Sequence, residues 1–208
     1  KPVNDQVYTF DFHRGMILEF IERTDLQNIT LVVQDWGGIL GLTLPMNFPN
    51  RFSRLIVMNT ALPTGESLGM GFQSWRDYVA SKPDIDCGAL IKRACPHVSE
   101  AEAACYEAPF PDQSYKAGVR RFPELVMIKP EMAGVQTARR AAEFRQNEWL
   151  GQSFMAIGAK DPVLGGEVMN DLRKTIRNCP EPMGHLIESR FCEVPGPDLP
   201  RARYKVHV

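Results

Sequence analysis

Apolar side chains recur along this chain in two different periods, and the order in which the periods alternate predicts its architecture. Over residues 13–23, Met16, Ile17, Phe20 and Ile21 fall at helical spacing, which suits one buried helical face. Asn28 then precedes an apolar, β-branched run over residues 29–33. A continuous run of this kind is expected of a strand buried on both faces of a parallel sheet. Helix is predicted over residues 38–47, with a kink or early end at Pro45. Residues 54–58 form a second apolar strand, ended by Asn59 and Thr60. Strand, helix and strand in this order require a right-handed crossover, so the chain is predicted to be α/β with a parallel sheet.

From about Pro63 the pattern changes. Residues 63–147 read as helices broken by proline and glycine, with no strand periodicity. Early helices are expected over residues 75–80 and 86–95. Ser99 with Glu102 forms a capping-box signature that opens a helix through Tyr106. Residues 108–112, with Pro109 and Pro111, form a rigid turn. A further helix lies within residues 131–148, with a charged face at Arg139, Arg140, Glu143 and Arg145. Residues 154–158 restore a strand and residues 165–178 read as helix. The region 193–208 holds three prolines and no amphipathic period. The division that follows is a first core part at 1–62, a helical cap at 63–147, a second core part at 148–183 and a divergent tail at 184–208.

Composition narrows the function classes. A length of 208 residues suits one domain with a sizeable core, and 44% hydrophobic with 24% charged residues is ordinary for a soluble protein. A formal charge of −1 gives no support to binding nucleic acid or a membrane surface. No apolar run approaches the ~20 residues needed to span a bilayer, and no signal peptide is visible. The five cysteines are odd in number and form no Cys-x-x-Cys pair, so they read as reduced thiols in a cytoplasmic-type compartment. The four histidines are scattered, which argues against a metal site. His13 and His97 read as helix-surface or cap residues. Gly69 and Gly71 follow no strand, which excludes a phosphate loop there.

The chemistry concentrates at Val32-Val33-Gln34-Asp35-Trp36-Gly37-Gly38. A carboxylate at the end of an apolar strand, followed by a tight turn and a helix, has the geometry of the nucleophile elbow, with Asp in place of Ser. Asp attacks carbon through its carboxylate and forms an alkyl ester, which points to carbon–halogen or epoxide cleavage. The bland alternative is that Asp35 is an ordinary helix N-cap. Trp36 could be a packing aromatic, or its indole N–H could hold a departing anion. Asp161, in Gly158-Ala159-Lys160-Asp161-Pro162, is either a turn residue before proline or the acid that orients a catalytic histidine. His185 is either that base, which activates water, or a loop histidine without a role. Phe72, Trp75, Phe110, Phe122, Phe144 and Trp149 supply aromatic surface, mostly as packing, with some available to line an apolar pocket.

These residues together resemble the haloalkane dehalogenases. The segment at residues 32–38 looks like that family's nucleophile motif. Ser99-Glu100-Ala101-Glu102, Ala108-Pro109-Phe110-Pro111-Asp112, Ser114-Tyr115 and Ala117-Gly118-Val119-Arg120-Arg121-Phe122-Pro123 are similar to subfamily I, the Xanthobacter-type group. Residues 154–161 and Cys179-Pro180-Glu181-Pro182 match it too. The resemblance implies an α/β-hydrolase fold with a helical cap, and a cofactor-free hydrolase acting on a small haloalkane as a monomer. It implies that Asp35 is the nucleophile, that Trp36 cradles the halide, and that Asp161 and His185 activate water. Three departures accompany it. No HGEP-like or HGNP-like loop is present, so the chain is expected to be truncated at its N-terminus. The family's cap tryptophan is expected in a Lys-Arg-Trp segment, where this chain has Lys92-Arg93-Ala94. The strand expected before the base is missing, since Met183 runs straight into Gly184-His185. The competing readings are an epoxide hydrolase that uses the same Asp35, with Tyr78, Tyr106 or Tyr115 as proton donor, and an inactive fragment.

Overall fold

The computed structural model describes residues 1–158 and 161–182. Its centre is a parallel sheet of three strands in the order β1-β2-β3: β1 (Ile29–Gln34), β2 (Phe52–Met58) and β3 (Gln152–Ala156). Val33 pairs with Val57, and Val57 pairs with Met155, so one row of apolar side chains crosses the sheet. All three are buried and join one core with Phe10, Leu42, Leu44, Val135 and Met169. The observed β3 begins two residues earlier than the apolar run suggested.

Eight helices flank or cover the sheet among the described residues. α1 (Phe10–Arg23) starts where the Thr9 hydroxyl accepts from the Phe12 N–H at 3.1 Å. α2 (Trp36–Gly41) is shorter than the predicted helix over residues 38–47. It ends before Pro45, which opens a separate 3-10 turn at Pro45–Asn47. α3 (Met70–Ala80), α4 (Cys87–Ala94) and α5 (Glu100–Glu107) follow in the region expected to be helical. The capping box forms at Ser99 and Glu102 as the sequence predicts. α6 (Ala117–Leu125) was not foreseen as a helix, because Pro123 falls inside it. α7 (Val135–Asn147) and α8 (Gly166–Lys174) complete the set. No helix among the described residues is long and apolar enough to cross a membrane.

Three side chains depart from the sequence reading. Arg145 was expected on the charged face of its helix, yet it is only 1% exposed. It turns inward and donates to the Leu42 carbonyl at 3.0 Å, tying α7 to the end of α2. His13 was expected at the surface or as a cap. Its ring instead packs 5.7 Å from Tyr8 and 5.0 Å from Phe122, with Nε2 buried and unbonded. Cys87, Cys105 and Cys179 are free thiols as expected, whereas Cys95 is disulfide-bonded.

Candidate active site

Parallel strands place their carboxyl ends on one side of a sheet, where a crevice forms between the departing loops. Here the register Gln34↔Met58↔Ala156 sets the three exits level. Asp35 follows the last residue of β1, Asn59 follows the last residue of β2, and Asp161 lies in the loop after β3.

Asp35 has φ 47° and ψ −125°, in the left-handed half of backbone space that a side chain normally avoids. Such strain persists only where the surroundings over-determine it. Here the Asp35 N–H donates to the Asn59 carbonyl at 2.9 Å. The Asp35 carbonyl accepts from the Gly38 N–H at 2.9 Å and from the Thr60 hydroxyl at 2.6 Å. A Cβ at Gly38 would collide with the Thr60 side chain, so glycine is needed for this close approach. The Asp35 side chain makes no capping hydrogen bond, although the residue sits at the N-cap position of α2. Asp35 thus holds the N-cap position without a side-chain cap to the helix. Burial pushes the Asp35 carboxyl up from the usual range, with the Asp161 charge adding to that and the Trp36 backbone N–H opposing it.

Asp161 is fixed by three donors. Its Oδ1 accepts the Val163 and Leu164 N–H groups at 2.9 and 2.8 Å, which is a local Asx turn. Its Oδ2 accepts from Asn59 Nδ2 at 3.1 Å. Asn59 also donates to the Gly158 and Leu164 carbonyls at 3.2 and 3.1 Å, and its Oδ1 accepts the Gly158 N–H at 2.7 Å. One amide side chain thus clamps the end of β2 to the loop that carries the second carboxylate.

Both carboxylates open into a cavity of about 770 Å³ beneath the cap helices. Its walls are mainly apolar, with Trp36, Ile39, Phe72, Trp75, Phe122 and Val126 prominent. Three tryptophans occur in the chain. The Trp149 indole donates to the Ser153 hydroxyl at 2.9 Å and lies in the core. Trp36 and Trp75 both line the cavity, and neither indole N–H has a hydrogen-bond partner among the described residues. The Phe122 ring meets Trp36 edge-on, with centroids 4.7 Å apart and planes at 76°.

The structure therefore brings Asp35, Trp36 and Asp161 together at one cavity. His185 lies outside the described residues. Two residues carry more of the site than the sequence reading gave them. By sequence Trp75 reads among aromatics that mostly pack, and the position of the family's cap tryptophan holds Ala94. Ala94 does line the cavity, but an indole reaches it from α3 instead. The spacing Phe72, Trp75, Val79 on one helical face was the available signal. Asn59 was read only as the end of a strand. Tyr78, Tyr106 and Tyr115 do not line the cavity.

Comparison with known proteins accords with this geometry. The sequence model of the alpha/beta hydrolase fold matches residues 1–193. The chain belongs to the alpha/beta hydrolase fold family. Within this fold it is similar to named enzymes. It is 38% identical to a haloalkane dehalogenase of Psychrobacter cryohalolentis, over 80% of this chain and 55% of that protein. It is 36% identical to a haloalkane dehalogenase of Mycolicibacterium paratuberculosis, over 79% of this chain and 55% of that protein. Among solved structures, the tetrameric haloalkane dehalogenase DpaA of Paraglaciecola agarilytica superposes with a TM-score of 0.83 at 46% identity, covering 88% of this chain and 62% of that one. The chain spans about half the length of the curated relatives it matches.

Proposed function

We propose that this alpha/beta hydrolase performs hydrolytic dehalogenation of small haloalkanes, with Asp35 as the nucleophile. One observation carries the proposal: a strained, uncapped carboxylate lines an apolar cavity whose wall also includes two tryptophans, Trp36 and Trp75, with no hydrogen-bond partner for either indole N–H among the described residues. An Asp35 oxygen attacks the carbon bearing the halogen. The carbon–oxygen bond forms as the carbon–halogen bond breaks, and the halide leaves with the bonding pair. Trp36 and Trp75 then hold it through their indole N–H groups, stabilising charge where it develops. Water attack on the alkyl ester would release the alcohol and regenerate Asp35. The resemblance assigns activation of that water to Asp161 and His185. The arrangement asks nothing of a cofactor, since the carboxylate supplies the nucleophile and the indoles receive the leaving group.

The epoxide reading is less well supported. Ring opening leaves an alkoxide on the substrate, which needs a proton donor at the cavity wall. The tyrosines considered for that role lie elsewhere, whereas a pair of indole N–H groups suits a released halide. The test is halide release from a short bromoalkane by the native protein and by Asp35→Asn. Release lost in the variant supports the reading, and release unaffected by the substitution contradicts it.

A further inference from the structure

Trp75 does not stand alone on the cavity wall. Its ring stacks on Tyr78, three residues along α3, with centroids 6.0 Å apart and planes at 23°. From the last turn of α4, the Arg93 guanidinium carbon lies 5.1 Å from the centroid of the Tyr78 ring. A cation and an indole therefore both contact one phenol ring, which links two cap helices. Trp75 and Arg93 line the cavity, and Tyr78 does not. Arg93 forms no ion pair among the described residues, so the aromatic face is its partner. The facing indole, Trp36, is held differently, by the edge of Phe122 from α6.

We propose that Tyr78 and Arg93 are positioning residues for Trp75, fixing the angle at which its indole N–H meets the halide. The inference rests on the dehalogenase reading of the same cavity. A tryptophan on a helix has two free side-chain torsions, and a halide must restrict both to gain the hydrogen bond. Offset stacking on Tyr78 restricts them in advance. The Arg93 cation over the Tyr78 ring keeps that ring from swinging away. Ordering a side chain before the ligand arrives improves affinity without adding a contact to the ligand.

The test is bromide binding to the full chain, followed by quenching of tryptophan fluorescence and by calorimetry, together with the melting temperature of each variant. Trp75→Phe reports on the halide clamp itself and is expected to weaken bromide binding. Tyr78→Leu and Arg93→Gln are each expected to weaken it by roughly two- to tenfold, the size of one stacked or cation–aromatic contact. Tyr78→Phe keeps the ring, Arg93→Lys keeps the charge, and both are expected to bind bromide close to the native affinity. A merely structural role would lower the melting temperature of Tyr78→Leu and leave bromide affinity unchanged, which overturns the inference. If Trp75→Phe binds bromide like the native protein, the clamp reading fails as well. If Trp75→Phe weakens binding while Tyr78→Leu and Arg93→Gln do not, only the positioning role is lost.

Discussion

At the scale of single residues, the proposed reaction sets Asp35 two opposed demands, since burial favours its neutral form and nucleophilic attack needs its anion. Its carboxyl sits above the usual range mainly because it is buried. A native acid with a raised pKa binds more protons than the unfolded chain between the two values, so it costs stability as pH rises through that window. Asp35→Asn is therefore expected to melt higher than the native protein near neutral pH, and the advantage should vanish below about pH 4, where the unfolded carboxyl is also protonated. Melting curves across acidic pH check this, while the alkylation rate of the native protein should rise with pH through the raised value. Asn59→Ala removes the clamp on the Asp161 loop and leaves buried groups on Gly158 unpaired. A loss of roughly 1–3 kcal/mol in denaturant unfolding is expected, because a buried polar group without a partner costs about that much. That Asp35, Trp36 and Asp161 lie near one another was legible in the sequence, because Asp35 and Trp36 follow one apolar strand and Asp161 follows another. Trp75 was not, because only the three-dimensional path of α3 decides which of several aromatics faces the cavity.

At the scale of elements, β1 and β2 could be read from their apolar, β-branched runs, but the expectation that β1 is buried on both faces fails, because it lies at the sheet edge with Thr30, Val32 and Gln34 exposed. Helix α6 was hidden by Pro123, and the inward turn of Arg145 was hidden because the Leu42 carbonyl that receives it lies far away in sequence. The cap helices are joined by a device that no local pattern announces. Lys116, buried just before α6, contacts Asp84 at 2.7 Å and Glu107 at 2.6 Å. Glu107, at the end of α5, also accepts the Cys87 and Gly88 N–H groups at the start of α4 at 2.6 and 3.3 Å. Burial alone would lower the Lys116 pKa, but the Asp84 and Glu107 carboxylates outweigh it and push it up to about 12. A raised lysine contributes stability that is fully present below the unfolded value of about 10.4 and is lost as pH rises through 12. Lys116→Met is expected to lower stability by roughly 1–3 kcal/mol, less than a fully buried pair would lose, because Asp84 is 59% exposed. Chemical denaturation at pH 7 measures this loss.

At the scale of the whole molecule, the sheet and cap enclose the cavity on one side, and other faces of the described residues carry exposed apolar side chains. Phe12, Met16 and Phe20 recur every four residues along the outer face of α1 and are 44%, 56% and 58% exposed. Val32 on the edge strand β1 is 55% exposed. A strip of this kind favours association. Light scattering is expected to show concentration-dependent association of the chain, reduced when Met16 and Phe20 are replaced by lysine. The central claim concerns the cavity, and one experiment addresses it most directly. The protein and its Asp35→Asn variant are incubated with a short bromoalkane, and their intact masses and the bromide released are recorded. The account predicts that the native chain alone either carries a single added alkyl group or, where the ester is hydrolysed, releases bromide and alcohol. Neither adduct nor bromide release with the native chain, or either of them to equal extent with the variant, would contradict it.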